Sequence, residues 1–496
     1  MSQPKSAAVQ AGPDPKRWLA LIVVGVAQLM VVLDATIVNV ALPTAMRDLG
    51  IAQADGQWVV TAYALPFGAL LLLGGRIADY VGRKKILLIA LGGFAAASAL
   101  GGLAVNGAML FAARGLQGVF AAMLAPAALS LLTVTFTETK ERAKAFAVFG
   151  AIAGGGAAVG LLLGGLLTQG PGWEWCLLVN IPIAVATIFF AIPILKESKT
   201  TDTGHYDVPG AVLASLGLAA LVWGFTRPAA HGWGSAQTII WLGVAAVLLV
   251  AFVLVERRST SPLLPMRILT NRNRGGAYLV GILVGAGLFA VFLFLTYYLQ
   301  DVKEFSPIKT GLAFLPFSAG VIVGAGAGSA LILKLGPKVI VTAGLALGIV
   351  GLLGLSTLDF ESTYAGTILP SQVAIAIGMG FIFMSTTNIA LVGISDNDAG
   401  VASAMVNTTQ QIGGSLGTAL LSTFAATAAA TFATSHPPVD GTDSAIASAT
   451  AAAAVHGYGV AFVWAAVFFG LAAIASITMI TAKKSDLPTE VVHAGV

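Results

Sequence analysis

The stretch 18–43, "WLALIVVGVAQLMVVLDATIVNVALP", decides the fold. An α-helix crosses the hydrocarbon core of a bilayer in about 20 apolar residues. This run exceeds that length with a single ionisable side chain, Asp34, and no basic residue within ten positions of it. A charge at mid-span costs at least ~2.5–3.5 kcal/mol on insertion scales, so a helix that keeps one has a use for it. The whole chain shares this character. Of its 496 residues 57% are hydrophobic and 10% charged, with a mean hydropathy of +0.90, whereas soluble domains carry roughly 25% charged residues. A water-soluble fold is excluded, and the chain reads as an all-α polytopic membrane protein.

Working outward, apolar segments of spanning length fall near residues 18–42, 57–76, 85–104, 109–132, 145–168, 175–195 and 209–225. Seven more fall near 238–255, 276–299, 309–333, 338–358, 367–392, 400–430 and 457–481. The count is fourteen. Basic residues set the orientation, because cytoplasmic loops are enriched in Lys and Arg. "GRKK" (82–85), "KERAK" (140–144), "KESK" (196–199), the linker "ERRSTSPLLPMRILTNRNR" (256–274), Lys334, Lys338, Lys483 and Lys484 share one side with the N-terminal arm. Arg47, Arg227, Lys303 and Lys309 lie opposite, and Arg114 lies within a span. The rich side is therefore expected to be cytoplasmic, with both termini there. The arm 1–17 precedes a run too long for a signal-peptide core, so the first span is expected to be retained. Net charge +4 then reports topology rather than an anionic partner, and no nucleic-acid contact is expected.

These segments divide the chain into an arm (1–17), a six-helix bundle (18–199), two inserted helices (200–256), a cytoplasmic linker (257–274), a second six-helix bundle (275–482) and a tail (483–496). The low-complexity stretch 433–456 reads as a long outer loop. The 59 glycines suit helices that pack closely in lipid. The single cysteine, Cys176, excludes an internal disulfide.

Between the second and third segments stands "GRIADYVGRKK" (75–85). Gly75 and Gly82 permit close approach or a tight turn. Asp79 at a helix C-terminus is disfavoured by the macrodipole unless a cation compensates, and Arg83 is within reach. This loop, as Gly75, Asp79, Gly82, Arg83 and Lys84, resembles the signature G-x-x-x-D-x-x-G-R-K/R of the major facilitator superfamily. "LDATIVNVALP" (33–43), "WVVTAYAL" (58–65) and "RGLQG" (114–118) look like motifs of its fourteen-span drug:proton antiporters. The resemblance implies two six-helix bundles around a central cavity, rocking between inward-open and outward-open states, with substrate bound near the midplane. It implies a role for the 75–85 loop in gating. One helix departs from the pattern. Where the antiporters read G-P-x-x-G-P-x-x-G-G, this chain has "GAAVGLLLGG" (156–165), with Ala157 and Leu161 in place of the prolines. Gly156, Gly160, Gly164 and Gly165 still form a face for close packing, and the helix is expected to kink less.

Only Asp34 and Arg114 fall well inside the hydrocarbon. Intramembrane charges pair or line a wet cavity and mark function. Burial and a neighbouring cation act on a carboxylate in opposite directions, so Asp34 is expected to carry the coupling proton and Arg114 to tune it. The competing reading is a static pair that docks one helix on another. Gln117, one turn from Arg114, is placed to orient it or to touch substrate. Asn39, Tyr63, Asn180, Asn388, Asn407 and Gln411 are polar groups in spans, either cavity lining or interhelical contacts worth about 0.6 kcal/mol. Phe67, Met384 and Met405 offer adaptable apolar surface. Glu174 in "GWEWC" reads as an interfacial anchor beside Trp173 and Trp175.

No phosphate-cradling loop of the G-x-x-x-x-G-K-S/T type is present. The five histidines (205, 231, 436, 456, 493), assigned to loops, a helix edge and the tail, lack metal-ligand spacing. Neither an enzyme nor a cofactor is expected. The leading expectation is a proton-coupled exporter of lipophilic small molecules in the bacterial inner membrane, functional as a monomer. With one carboxylate, about one proton per cycle and neutral, zwitterionic or monocationic substrates are expected. A metabolite carrier of the same fold, and a non-transporting receptor, are the alternatives.

Overall fold

The computed structural model describes residues 15–482 and 484, apart from 54, 137, 200–206, 260, 261, 263, 265, 393, 395 and 439–441. Among these residues the regular structure is helical throughout. In chain order the helices are α1 Arg17–Asp48, α2 Gln57–Val81, α3 Arg83–Gly102, α4 Gly107–Thr135, α5 Thr139–Gln169, α6 Trp175–Leu178 and α7 Asn180–Ile194. Then come α8 Val208–Thr226, α9 Pro228–His231, α10 Ala236–Arg258 and α11 Met266–Leu269. The last group is α12 Arg272–Tyr297, α13 Pro307–Ala313, α14 Leu315–Leu335, α15 Pro337–Leu355, α16 Leu369–Leu391, α17 Asp396–Ser435 and α18 Asp443–Met479. Single π-helical turns extend α12 at Tyr298–Val302 and precede α16 at Tyr364–Ile368.

Thirteen of these segments are long and apolar enough to cross a membrane, which makes this a multi-pass membrane protein. The segment expected at 145–168 lies in α5, whose described apolar stretch, Gly155–Gln169, is shorter than that measure. The stretch 433–456 is a correction: α17 runs to Ser435 and α18 begins at Asp443, so most of it is helix. Alanine is the best helix former, and the Thr442 hydroxyl caps α18 by accepting from Ala445 N at 3.3 Å. His456 accordingly sits on α18, not in a loop. His205, Lys483 and His493 lie outside the described residues.

The packing repeats. In the first half α2 lies on α4, α3 on α4 and α1 on α5; in the second, α14 lies on α16, α15 on α16 and α12 on α17. α8 packs on α2 and α17, and α10 packs on α8. Call the end holding Arg17, Arg83 and Met479 the near end, and that holding Gly50, Gly107 and Gln300 the far end. The halves are joined at the far end. Gln53 Nε2 donates to the Tyr458 hydroxyl at 2.6 Å, Gln300 Nε2 to Val40 O at 2.9 Å, and the Tyr297 hydroxyl to Met46 Sδ at 3.2 Å. At mid-depth Gly68 of α2 faces Gln411 and Ile412 of α17.

The glycine column of α5 fixes α1. A Cβ at Gly156 would meet Leu29 and Val32, at Gly160 the Thr36 hydroxyl, and at Gly164 the Ile37 carbonyl at 2.7 Å. Gly165 faces the other half instead, where Pro307 O stands 2.6 Å from the Cβ position. No proline interrupts α5, and Leu161 is fully buried with its carbonyl against Gly311 of α13.

Candidate functional site

Asp34 sits at the middle of α1 with no exposed surface, and Arg114 of α4 is 2% exposed. Arg114 Nη1 donates to Asp34 Oδ2 at 2.6 Å. Asp34 Oδ1 accepts from Gln117 Nε2 at 2.8 Å and from Asn180 Nδ2 at 2.9 Å. Gln117 Nε2 also donates to Ser98 Oγ at 2.8 Å, and its Oε1 accepts from Arg114 Nη1 at 2.9 Å. Arg114 Nε donates to Val59 O at 3.0 Å, and the guanidinium lies 4.4 Å from the centre of the Tyr63 ring. A buried ion pair survives only when further hydrogen bonds satisfy both ions, and a planar guanidinium can supply several at once. Here α1, α2, α3, α4 and α7 all take part, through Asp34, Val59 O, Ser98, Arg114 with Gln117, and Asn180. The Tyr63 hydroxyl and Asn180 Oδ1 have no hydrogen-bond partner among the described residues. On the far side an apolar cavity walled by Val38, Leu42, Val59, Leu110, Trp173 and Cys176 adjoins the cluster, and a lining of this kind excludes water.

Three residues named for the cavity, Tyr63, Gln117 and Asn180, thus belong to the carboxylate cluster. Asn39 and Asn388 turn back on their own helices, to Ala35 O at 3.3 Å and Met384 O at 2.8 Å. Asn407 is exposed and Gln411 half-buried at the α2–α17 contact. Phe67 and Met405 are buried in packing clusters, and Met384 is half-buried. Glu174 is half-buried, with Trp173 buried and Trp175 exposed. Ser98 and the Val59 carbonyl were not anticipated. A serine in "AAASALGG" and a backbone oxygen carry no charge or spacing signal.

The 75–85 loop forms a second site at the near end. Arg83 holds Asp79 through Nε at 2.9 Å and Nη2 at 2.8 Å. Gly82 adopts φ +124°, open to glycine and rarely to other residues, and its missing Cβ leaves room for the Glu197 carboxylate. Glu197 accepts from Lys84 N at 3.1 Å and Lys85 N at 3.0 Å, so a carboxylate from beyond α7 caps the positive end of α3. Lys84 Nζ donates to Ile192 O at 2.7 Å. Close approach is made by Gly74, against which the Ala122 carbonyl packs; Gly75, expected in that role, has only ordinary contact with Pro126. No group of three or more His, Cys, Asp or Glu able to hold a metal occurs among the described residues.

Known proteins resemble this chain. Residues 24–418 match the Major Facilitator Superfamily. A puromycin resistance protein of Streptomyces alboniger is 45% identical over 97% of this chain and 94% of its own. A cephamycin export protein of Amycolatopsis lactamdurans is 38% identical over 96% and 94%. A tetracenomycin C resistance and export protein of Streptomyces glaucescens is 34% identical over 83% and 76%. Among solved structures, a bacterial homolog of the human lysosomal transporter Spinster superposes with a TM-score of 0.67 at 16% identity, covering 97% of this chain and 100% of that one. The chain belongs to the major facilitator superfamily.

Proposed function

We propose that this protein exports lipophilic small molecules, antibiotics of the kinds its relatives are named for, across the bacterial plasma membrane in exchange for protons. Resistance and export relatives along nearly the full length support the cargo. The observation that carries the coupling is the buried Asp34, held by Arg114 and two amides. Burial penalises the carboxylate while its donors stabilise it. A change in hydration or in the Arg114 distance between the two open states tips that balance and takes up or releases a proton. Protonation weakens the tie between α1 and α4 while Arg114 keeps Gln117, Val59 O and the Tyr63 face. The positive-inside rule makes the near end cytoplasmic, with both termini there and α5 as the fourteenth span. The joined far end is then the outer side, closed. The Asp79–Arg83–Glu197 assembly steadies the cytoplasmic ends of α2, α3 and α7 as the halves rock. The protein works as a monomer, without cofactor and without chemical change to its cargo.

The test is puromycin uptake into inverted vesicles under a pH gradient. Gradient-driven accumulation that is lost in Asp34→Asn is the expected result. Loading in the opposite gradient direction makes the protein a symporter, and binding without flux makes it a receptor. Normal flux in Asp34→Asn refutes the coupling role.

A further inference from the structure

The far end of α8 carries a cation that no carboxylate answers. From Val208 to Val255 the chain has no acidic residue, and Arg227 and His231 are its only titratable side chains. Arg227 follows directly on α8 and is half-buried. Its guanidinium lies over the Trp223 ring, 4.0 Å from the ring centre. No carboxylate pairs with it among the described residues, and its buried Nε has no hydrogen-bond partner there. Two cations of the same end are answered within the protein: Arg47 Nε donates to Pro43 O at 3.3 Å, and Lys303 Nζ to Phe360 O at 2.5 Å. A guanidinium is planar and carries all its donors at its edge, so stacking on an indole occupies the face and leaves the N–H groups to a further partner.

The depth and the surroundings are those of a lipid headgroup. α8 has 19 residues, about 28 Å at 1.5 Å per residue, which matches the hydrocarbon core of a bilayer. Arg227 therefore emerges at the headgroup level of the far side. Trp223 stacks with Trp58 of α2 at 5.3 Å and with Trp241 of α10 at 6.5 Å between ring centres. Indoles collect at that level of a membrane because they are apolar with one polar handle. Trp223 and Trp241 are exposed, as is Val244, one turn further into the membrane along α10. α10 packs chiefly on α8, which leaves its flank open to acyl chains. The seat itself is held firmly: α8 packs on α2 and α17, and the Thr423 hydroxyl of α17 donates to Phe225 O at 2.7 Å.

We propose that Arg227, with Trp223, Trp58 and Trp241 beside it, seats the phosphate of an anionic phospholipid. The free N–H edge donates to the phosphate oxygens, a match that guanidinium makes bidentately, and the indoles and the α10 flank meet the glycerol and chain. One interfacial cation attracts an anion only weakly, so the apolar flank is what favours a lipid over free phosphate. Phosphatidylglycerol and phosphatidylcholine with the same chains are titrated onto the full-length protein purified in detergent, and the first bound lipid is read by native mass spectrometry. The wild type should prefer phosphatidylglycerol about fivefold or more, the effect of one interfacial cation. Arg227→Gln should lose that preference, and Arg227→Lys, which keeps the charge, should retain it. Should Arg227→Gln fail to fold, Trp241→Leu leaves the cation in place and should weaken phosphatidylglycerol binding. No preference in the wild type, or one unchanged in Arg227→Gln, overturns the site, as does unchanged affinity in Trp241→Leu. Displacement of phosphatidylglycerol by millimolar inorganic phosphate makes it a free-anion site and overturns the lipid as occupant.

Discussion

The two halves repeat each other's helix packing and differ in what they bury. Deep within its spans the first half encloses an ion pair; in the second, the buried cation Arg274 lies at the near end of α12 and the groups buried deeper, such as Gln372, are neutral. Around Asp34 four other helices supply donors or acceptors, because a buried carboxylate stripped of its partner is strongly destabilising. Around Gln372 the described residues supply none, a deficit that a neutral amide survives at about 1–3 kcal/mol. On the proposed reading, coupling belongs to the half that holds the ion pair.

The largest expected break in this contrast is Arg114→Leu, which strands the Asp34 carboxylate. Loss of about 3–5 kcal/mol of stability and of proton-driven flux is expected, read by thermal melting and vesicle uptake. Adding Asp34→Asn should recover much of the melting temperature but none of the coupling; recovery of coupling would make the pair a static clamp. Next, Gly160→Leu forces α5 away from Thr36 and should cost about 1–3 kcal/mol. Gly170→Ala, against its own Leu166 carbonyl at the helix end, lacks that leverage on Asp34 and should leave coupling intact. Smaller again, Glu197→Ala removes the cap of α3, costing about 1 kcal/mol with the proton dependence of transport unchanged.

The smallest effect concerns pH. The Arg17 side chain, bonded to Glu141 at 2.7 and 2.8 Å, holds the Glu141 carboxyl below the ordinary glutamate range. A lowered value contributes stability above the unfolded-state value, lost as pH falls through the folded one. Wild type and Glu141→Gln should therefore differ in melting temperature at neutral pH and converge below about pH 4. A difference that persists in acid would assign the effect to packing.

What the sequence disclosed follows the same contrast. Asp34 and Arg114 were legible as a pair because they are the charges deep in the spans, and each needs the other. Gln117 followed from helical spacing. Asn180 was visible as a polar group but not as a carboxylate ligand, because it is 146 positions away and a neutral amide announces no partner. Gln372 was passed over for that reason. Glu197 was hidden because a cap supplied from another helix end leaves no local pattern. The extension of α17 and α18 was misread as loop because low complexity was weighed above the helix propensity of its alanines.

The glycine column on α5 has a mechanical consequence. With Gly156, Gly160 and Gly164 pressed on α1 and Gly165 pressed on Pro307 of the opposite half, α5 has no slack on either side. On the proposed reading it would act as a coupling rod between the seam and the carboxylate helix. A displacement where the halves part at Pro307 would reach α1 across about one helix diameter, ~10 Å, the contacts at Gly164 and Gly165 being with backbone of Ile37 and Pro307.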